Sequence, residues 1–310
     1  MKLNKYLALA TIASVFAFTA CEDDPIVTPA DPTIAITGTP SFVIPVTATA
    51  NPTVSFVFTV DAPGKIKNLK IVRTEYLGTA TVGTPVEQPY NVAIGATTYE
   101  ETFTSEVMYG KFHKGEIDEV EFMVIVTDNN DKIASAEYIV TMGAYTALAT
   151  EITTGEMWKL HSTGKACWDL KNDVAVTAIG TAAEANRYII NSDNVGTLND
   201  PSNFTGSWTS GTVNWTATGG TAQVTTGNGT KYVKANIFDY TNAKKEKALY
   251  MFNLAGTADQ LTSISNPAVN DIYIAKKGDE LYVIKITVNN TTEVAPTKAN
   301  TGVLKFTYKK

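Results

Sequence analysis

The segment that most constrains the fold is residues 119–142, "EVEFMVIVTDNNDKIASAEYIVTM". Two β-rich runs, 119–127 and 132–142, flank Asp128-Asn129-Asn130-Asp131, whose short polar side chains favour a turn by hydrogen-bonding their own backbone. On the first run Phe122, Val124 and Val126 fall on one face and Glu121, Met123 and Ile125 on the other, the period of a strand. The same pattern recurs upstream. Val54, Phe56, Phe58 and Val60 alternate with smaller residues, and Ile66, Leu69, Ile71 and Val72 follow the Ala62-Pro63-Gly64 turn. Roughly six to eight strands over about 110 residues predict a β-sandwich.

Beyond a glycine-bearing hinge over residues 143–155 the composition changes. All four tryptophans, Trp158, Trp168, Trp208 and Trp215, lie past it, and residues 203–230 carry no charged side chain and are dominated by Thr, Gly and Asn. A second hairpin is predicted from residues 271–275 and 281–288 around Lys276-Lys277-Gly278-Asp279, the glycine supplying a positive φ. Residues 302–308 alternate as one further strand. Helix enters at residues 242–252, with Asn242 or Thr241 as cap and Ala248, Leu249 and Phe252 as an apolar stripe. The expected fold class is therefore mainly β: a sandwich over residues 33–143, then a second β-rich domain over residues 150–310 with at most one short helix.

The amino terminus is an address rather than a fold element. Lys2 and Lys5 precede the uncharged, mostly apolar residues 7–20, and Phe18-Thr19-Ala20-Cys21 closes them. A basic head, a short apolar stretch and small residues before the cut make a secretory signal, too short for a bilayer core of about 30 Å. The tripeptide before Cys21 resembles a bacterial lipobox, with Phe18 in place of the commoner Leu. That resemblance implies cleavage after residue 20 and lipid on Cys21, which would anchor the chain to a membrane. Residues 21–32, with Pro25, Pro29 and Pro32, read as an extended tether. Glu22-Asp23-Asp24 looks like the acidic surface-export signal of Bacteroidetes lipoproteins, implying an outer-membrane protein facing the cell surface. Enterobacterial sorting would instead favour inner-membrane retention, leaving a periplasm-facing alternative.

Charge excludes one partner class. With 25 basic against 31 acidic residues the formal net charge is −6, and cleavage would remove two more lysines. A nucleic-acid partner needs Lys/Arg clusters that this chain does not carry. Cys21 being taken by lipid, Cys167 has no intrachain partner, so no disulfide framework is expected.

The hairpin at 119–142 resembles the last hairpin of bacterial immunoglobulin-like domains. The order of Ig-like module, glycine hinge and Trp/Asn-rich β domain is similar to multi-domain surface lipoproteins that accompany Bacteroidetes glycan-uptake systems. That architecture implies an Ig-like spacer and a second domain that meets a polysaccharide or another surface protein; the alternative is a structural or adhesive surface component with no small ligand.

Catalytic chemistry is thin in this sequence. His113 and His161 stand in no HExxH or CxxC context, and a lone His near a strand end reads as a polar surface or rim residue. Cys167, in "KACWDL", reads as a small buried hydrophobe of a strand, although His161 six residues earlier leaves a Cys/His nucleophile as the alternative. Asp169, Asp173 and Glu184 are the acids nearest Trp168, and a carboxylate-based hydrolase remains a minor reading. The crowded oxygens of 128–131 lack the EF-hand glycine and distal Glu, so they read as a turn. No metal and no cofactor is expected. The one constellation nominated for binding is Trp208 and Trp215 with Asn203, Asn214, Gln223 and Asn228: flat indoles take sugar C–H faces while amides bond hydroxyls. Against it stands the reading that both tryptophans are core residues of the strands "GSWTS" and "VNWTA".

Overall fold

The computed structural model describes residues 28–88, 94–158, 166–176, 188–191, 204–214, 223–227, 229–294 and 301–310. These are mostly strand, with three short helices. The amino-terminal module contains β1 (Thr33–Ile36), β2 (Ser41–Ile44), β3 (Thr53–Asp61), β4 (Ile66–Leu77), β5 (Ala80–Thr81), β6 (Val86–Glu87), β7 (Thr98–Glu106), α1 (Tyr109–Lys114), β8 (Glu119–Asp128) and β9 (Ile133–Met142). One sheet has the order β1-β3-β7; the other runs β2-β9-β8-β4-β5, with β6 also on β4 and β2 parallel to β9.

The predicted alternation places Phe122, Val124 and Val126 of β8 opposite Val54, Phe56, Phe58 and Val60 of β3 in one buried core. Aromatic rings join the two sheets: Phe56 stacks on Tyr138 at 4.4 Å, and Phe103 meets Phe122 at 5.4 Å. Each such pair adds about 0.5–1.5 kcal/mol beyond the area it buries. Between β8 and β9, Asp128 accepts the backbone N–H of Asn130 (2.8 Å) and Lys132 (2.9 Å), so its carboxylate is a turn brace. Gly64 lies against that carboxylate, where a Cβ would collide with it.

The carboxy-terminal module contains β10 (Glu151–Trp158), β11 (Cys167–Asp169), β12 (Val174–Val176), β13 (Ile189–Asn191), β14 (Trp208–Thr209), β15 (Gly211–Asn214), β16 (Gln223–Gly227), β17 (Lys231–Lys234), α2 (Lys245–Leu254), α3 (Gly256–Asp259), β18 (Ser263–Ile264), β19 (Ile272–Lys277), β20 (Glu280–Val294) and β21 (Thr301–Lys309). Its central sheet runs β10-β21-β20-β19-β17, a second runs β12-β11-β13-β14-β18, and β15 pairs with β16.

The central sheet is covered on both faces. Tyr273, Ala275, Tyr282 and Ile284 pack with Trp168, Ile189 and Trp208 of the second sheet. The intervening Ile272, Ile274, Leu281 and Val283 pack with Ala248 and Phe252 of α2. Burial on both sides is why "DIYIA" and "LYVIKI" are nearly continuous apolar runs instead of alternating ones.

Two expectations shift. The helix starts at Lys245 rather than 242, because Asn242 gives its backbone N–H and its amide to the two carboxylate oxygens of Asp239, at 3.1 and 3.0 Å, and so closes a turn instead of capping. Among the described residues this module holds two short helices, α3 being a single four-residue turn. The inter-module connection is also shorter than 143–155. Leu148 donates its N–H to Ala243 O, Lys245 to Thr146 O, and Lys310 to Thr150 O, which ties the connector to the second module. Gly155 sits inside β10, where its missing side chain makes room for the Phe306 ring.

Candidate functional site

Trp208 takes the core alternative. It is fully buried, edge-on to Tyr273 (5.1 Å) and Tyr232 (5.9 Å), so neither indole face is offered to a sugar. Trp215, Asn203 and Asn228 lie outside the described residues, as do Cys21, His161 and Glu184. Asn214 and Gln223 are brought together as a cross-strand pair at the end of the β15–β16 ribbon. The acids near Trp168 are engaged structurally. Asp169 accepts the backbone N–H of Lys171 and Asn172 at 2.9 and 3.0 Å, and Asp173 holds the Tyr308 hydroxyl and the Lys310 ammonium. Cys167 is buried in β11.

A different place gathers unsatisfied chemistry: the contact between α1 and α2. Helix α1 lasts six residues and ends at Gly115, whose φ of 72° is the left-handed stop that glycine adopts freely. Phe112 faces the amino-terminal core, while His113 faces α2. The imidazole stacks on Tyr250 with centroids 4.8 Å apart and planes 14° apart. It meets the edges of Tyr109 and Tyr145 at 5.5 and 5.6 Å. Gly110 permits this approach, since a Cβ there would stand 2.5 Å from the Tyr250 hydroxyl oxygen.

Beside these rings opens a cavity of about 420 Å³, lined by residues 46–49, Tyr109, His113, Glu246, Leu249, Tyr250, Asn253 and Leu254. That volume falls within the range of about 300–1,000 Å³ typical of small-molecule sites. Tyr109 is fixed by donating its hydroxyl to Thr49 O at 2.9 Å. Glu246 accepts the Thr146 N–H at 2.8 Å; burial pushes its pKa up, and the hydrogen bonds with Thr146 outweigh that, leaving it lowered and ionised. Two polar atoms are buried here without a partner, His113 Nδ1 and the Tyr145 hydroxyl. Burial pushes that hydroxyl up to about 12.

His113 was expected at a surface or rim; only 4% of it is exposed. The sequence does hold a signal for α1: Tyr109 and Phe112 at helical spacing, Lys111 and Lys114 in the last turn, then glycine. It holds none for the partner, because α2 is distant in the chain.

No protein-family model matches the chain, and no curated protein does. Among solved structures it is similar to a DUF4466 family protein from Parabacteroides merdae, at 13% identity and a TM-score of 0.28, over 91% of this chain and 100% of that one. It is also similar to a Niemann-Pick type C2 protein from Japanese carpenter ant, at 16% identity and a TM-score of 0.22, over 41% of this chain and 100% of that one. At these values neither likeness carries an argument about ligand or activity.

Proposed function

We propose that this chain is a non-catalytic lipoprotein of a bacterial envelope, anchored through Cys21 and facing the cell surface, that binds a glycan in the cleft between its two modules. The anchor rests on the Lys2–Cys21 leader and its resemblance to a lipobox. The amino-terminal, Ig-like module supplies Thr47, Thr49 and Tyr109 of the cleft wall, and the carboxy-terminal module supplies Glu246, Leu249, Tyr250 and Asn253.

The observation that carries the reading is a pocket of ligand size walled by the rings of Tyr109 and Tyr250, which stand at 84° to each other. Two such rings present an L-shaped apolar surface to the C–H face of a pyranose, while the exposed Asn253 amide and Thr47 and Thr49 are left to meet hydroxyls. The acidic balance of the chain suits an uncharged ligand better than an anionic one.

Titration of the intact protein with a panel of neutral polysaccharides tests this. Tyr250→Ala and Tyr109→Ala should each weaken the best ligand by about tenfold or more, on the order of 1–2 kcal/mol, while the far-ultraviolet spectrum is unchanged. Undiminished binding in both folded variants would remove the cleft as the site. Cys21→Ala should release the protein from membranes, and protease shaving of intact cells should degrade the wild type. Protection from shaving would place it inside the envelope.

A further inference from the structure

His113 is the described residue whose position the binding reading leaves unused. It is a buried titratable ring at a joint between two modules, with one nitrogen, Nδ1, enclosed and without a partner. Neutral imidazole tolerates this, since one nitrogen then carries no proton. Imidazolium does not, because both nitrogens become donors and each needs an acceptor.

As the ring stands, no neighbouring group accepts from Nδ1. From α2, Tyr250 supplies a ring face, which attracts a cation without accepting its N–H in line. Glu246, the carboxylate on α2 nearest in sequence to the contact, already accepts the Thr146 N–H. Lys247 stands close by with its ammonium 5.0 Å over the Tyr145 ring, and it repels a second positive charge. From the connector, Tyr145 presents a hydroxyl that stays neutral. On α1 itself Lys111 is drawn away to Glu75 at 2.7 Å, Lys114 lies 3.8 Å from Glu116, and Tyr109 donates to Thr49 O.

We propose that His113 is a proton-operated latch between the modules: acidification charges the ring, loosens α2 from α1 and frees the wall of the cleft.

Burial first, and then Lys247, hold the pKa of His113 below its ordinary value near 6.5, with Glu246 opposing in part. The direction of the linkage follows. Above about pH 6.5 the ring is neutral in both the docked and the undocked arrangement, and docking has its full strength. Below that value the undocked ring takes a proton that the docked ring resists, so docking weakens by up to about tenfold per pH unit. The loss levels off below the lowered, docked pKa. This behaviour concerns the modules themselves and does not depend on what the cleft holds.

The chain has two histidines, so ring-carbon NMR of the histidine-labelled intact protein resolves them, and His113→Phe assigns the signal. The wild-type His113 ring should titrate below about 6.5. Hydrogen exchange of the α1 and α2 amides, compared between wild type and His113→Phe at the same pH, should agree near pH 7.5 and be faster in wild type near pH 5. Lys247→Gln should raise the His113 midpoint and shrink the wild-type excess, which keeps the test open if His113→Phe does not fold. Equal exchange in wild type and His113→Phe at both pH values, or a midpoint at or above 6.5 that Lys247→Gln leaves unmoved, would overturn the latch. Neither readout uses a ligand, so a failed glycan titration leaves it standing.

Discussion

Replacing Trp208 by alanine separates a core tryptophan from a binding one. The indole is wholly enclosed, with Tyr232 and Tyr273 edge-on at 5.9 and 5.1 Å and Ile264 in the same cluster. Its removal leaves a cavity that these rigid rings cannot collapse to fill, and such truncations cost about 3–5 kcal/mol. At about 2–4 °C per kcal/mol for a module of this size, the melting temperature should fall on the order of 10 °C. Trp208→Phe should behave differently from a simple loss of volume. The indole Nε1 is buried without an acceptor, and removing such an orphan donor relieves about 1–3 kcal/mol, offsetting part of the lost contact. Calorimetry of the intact protein gives the melting shift, and acrylamide quenching, compared between wild type and Trp208→Phe, gives the accessibility of this one indole. A shift under about 2 °C for Trp208→Ala, or a quenchable Trp208 signal, would refute the argument.

Two further outcomes follow from the same geometry. Asp271 is 6% exposed and its pKa is lowered to about 2: burial opposes this, but Lys234, Asn236, the Ala268 N–H and Tyr273 all bond the carboxylate. Its stabilisation is therefore full above the unfolded carboxylate pKa and is lost as pH falls from about 4 to about 2. Asp271→Asn should cost on the order of 2 kcal/mol at neutral pH and flatten the acid limb of a stability–pH profile; an unchanged limb would discount the network. Separately, fragments ending at residue 143 and beginning at residue 144 should each unfold cooperatively, since the buried clusters on either side share no member. A single transition that neither fragment reproduces would argue that the α1–α2 contact is indispensable to both.

Much of the β architecture was legible because a half-buried strand must alternate. Val54 to Val60 and Phe122 to Val126 carry that period; for β8 and β19 the next run along the chain supplies a pairing partner, so the β8–β9 and β19–β20 hairpins lie close to where the sequence places them, whereas β3 pairs with the distant β7. The helix near 242–252 was legible in its apolar stripe and wrong in its start, because the rival use of Asn242 as a partner for Asp239 is a local competition that propensity alone does not decide. Helix α1 went unread because six residues between strands offer less than two turns of periodicity. The apolar runs of β19 and β20 read only as a hairpin, and that their sheet is covered on both faces emerges from the second sheet and α2 packing against it.

Site residues followed the opposite rule. Trp208 stood out by type and composition, yet type does not report depth, and the chain buries it under tyrosines from β17 and β19. Tyr109, His113, Tyr145 and Tyr250 are unremarkable in sequence, being scattered over more than a hundred residues. The chain by itself determined the β character, the place of the two hairpins and the acidic balance, since each is written in contacts between neighbours or in the sum of residue types. Only the tertiary structure decided which aromatic residues are core and which line a cleft. That choice depends on where the two modules touch, and burial there is set by residues remote in the chain, which no local pattern encodes.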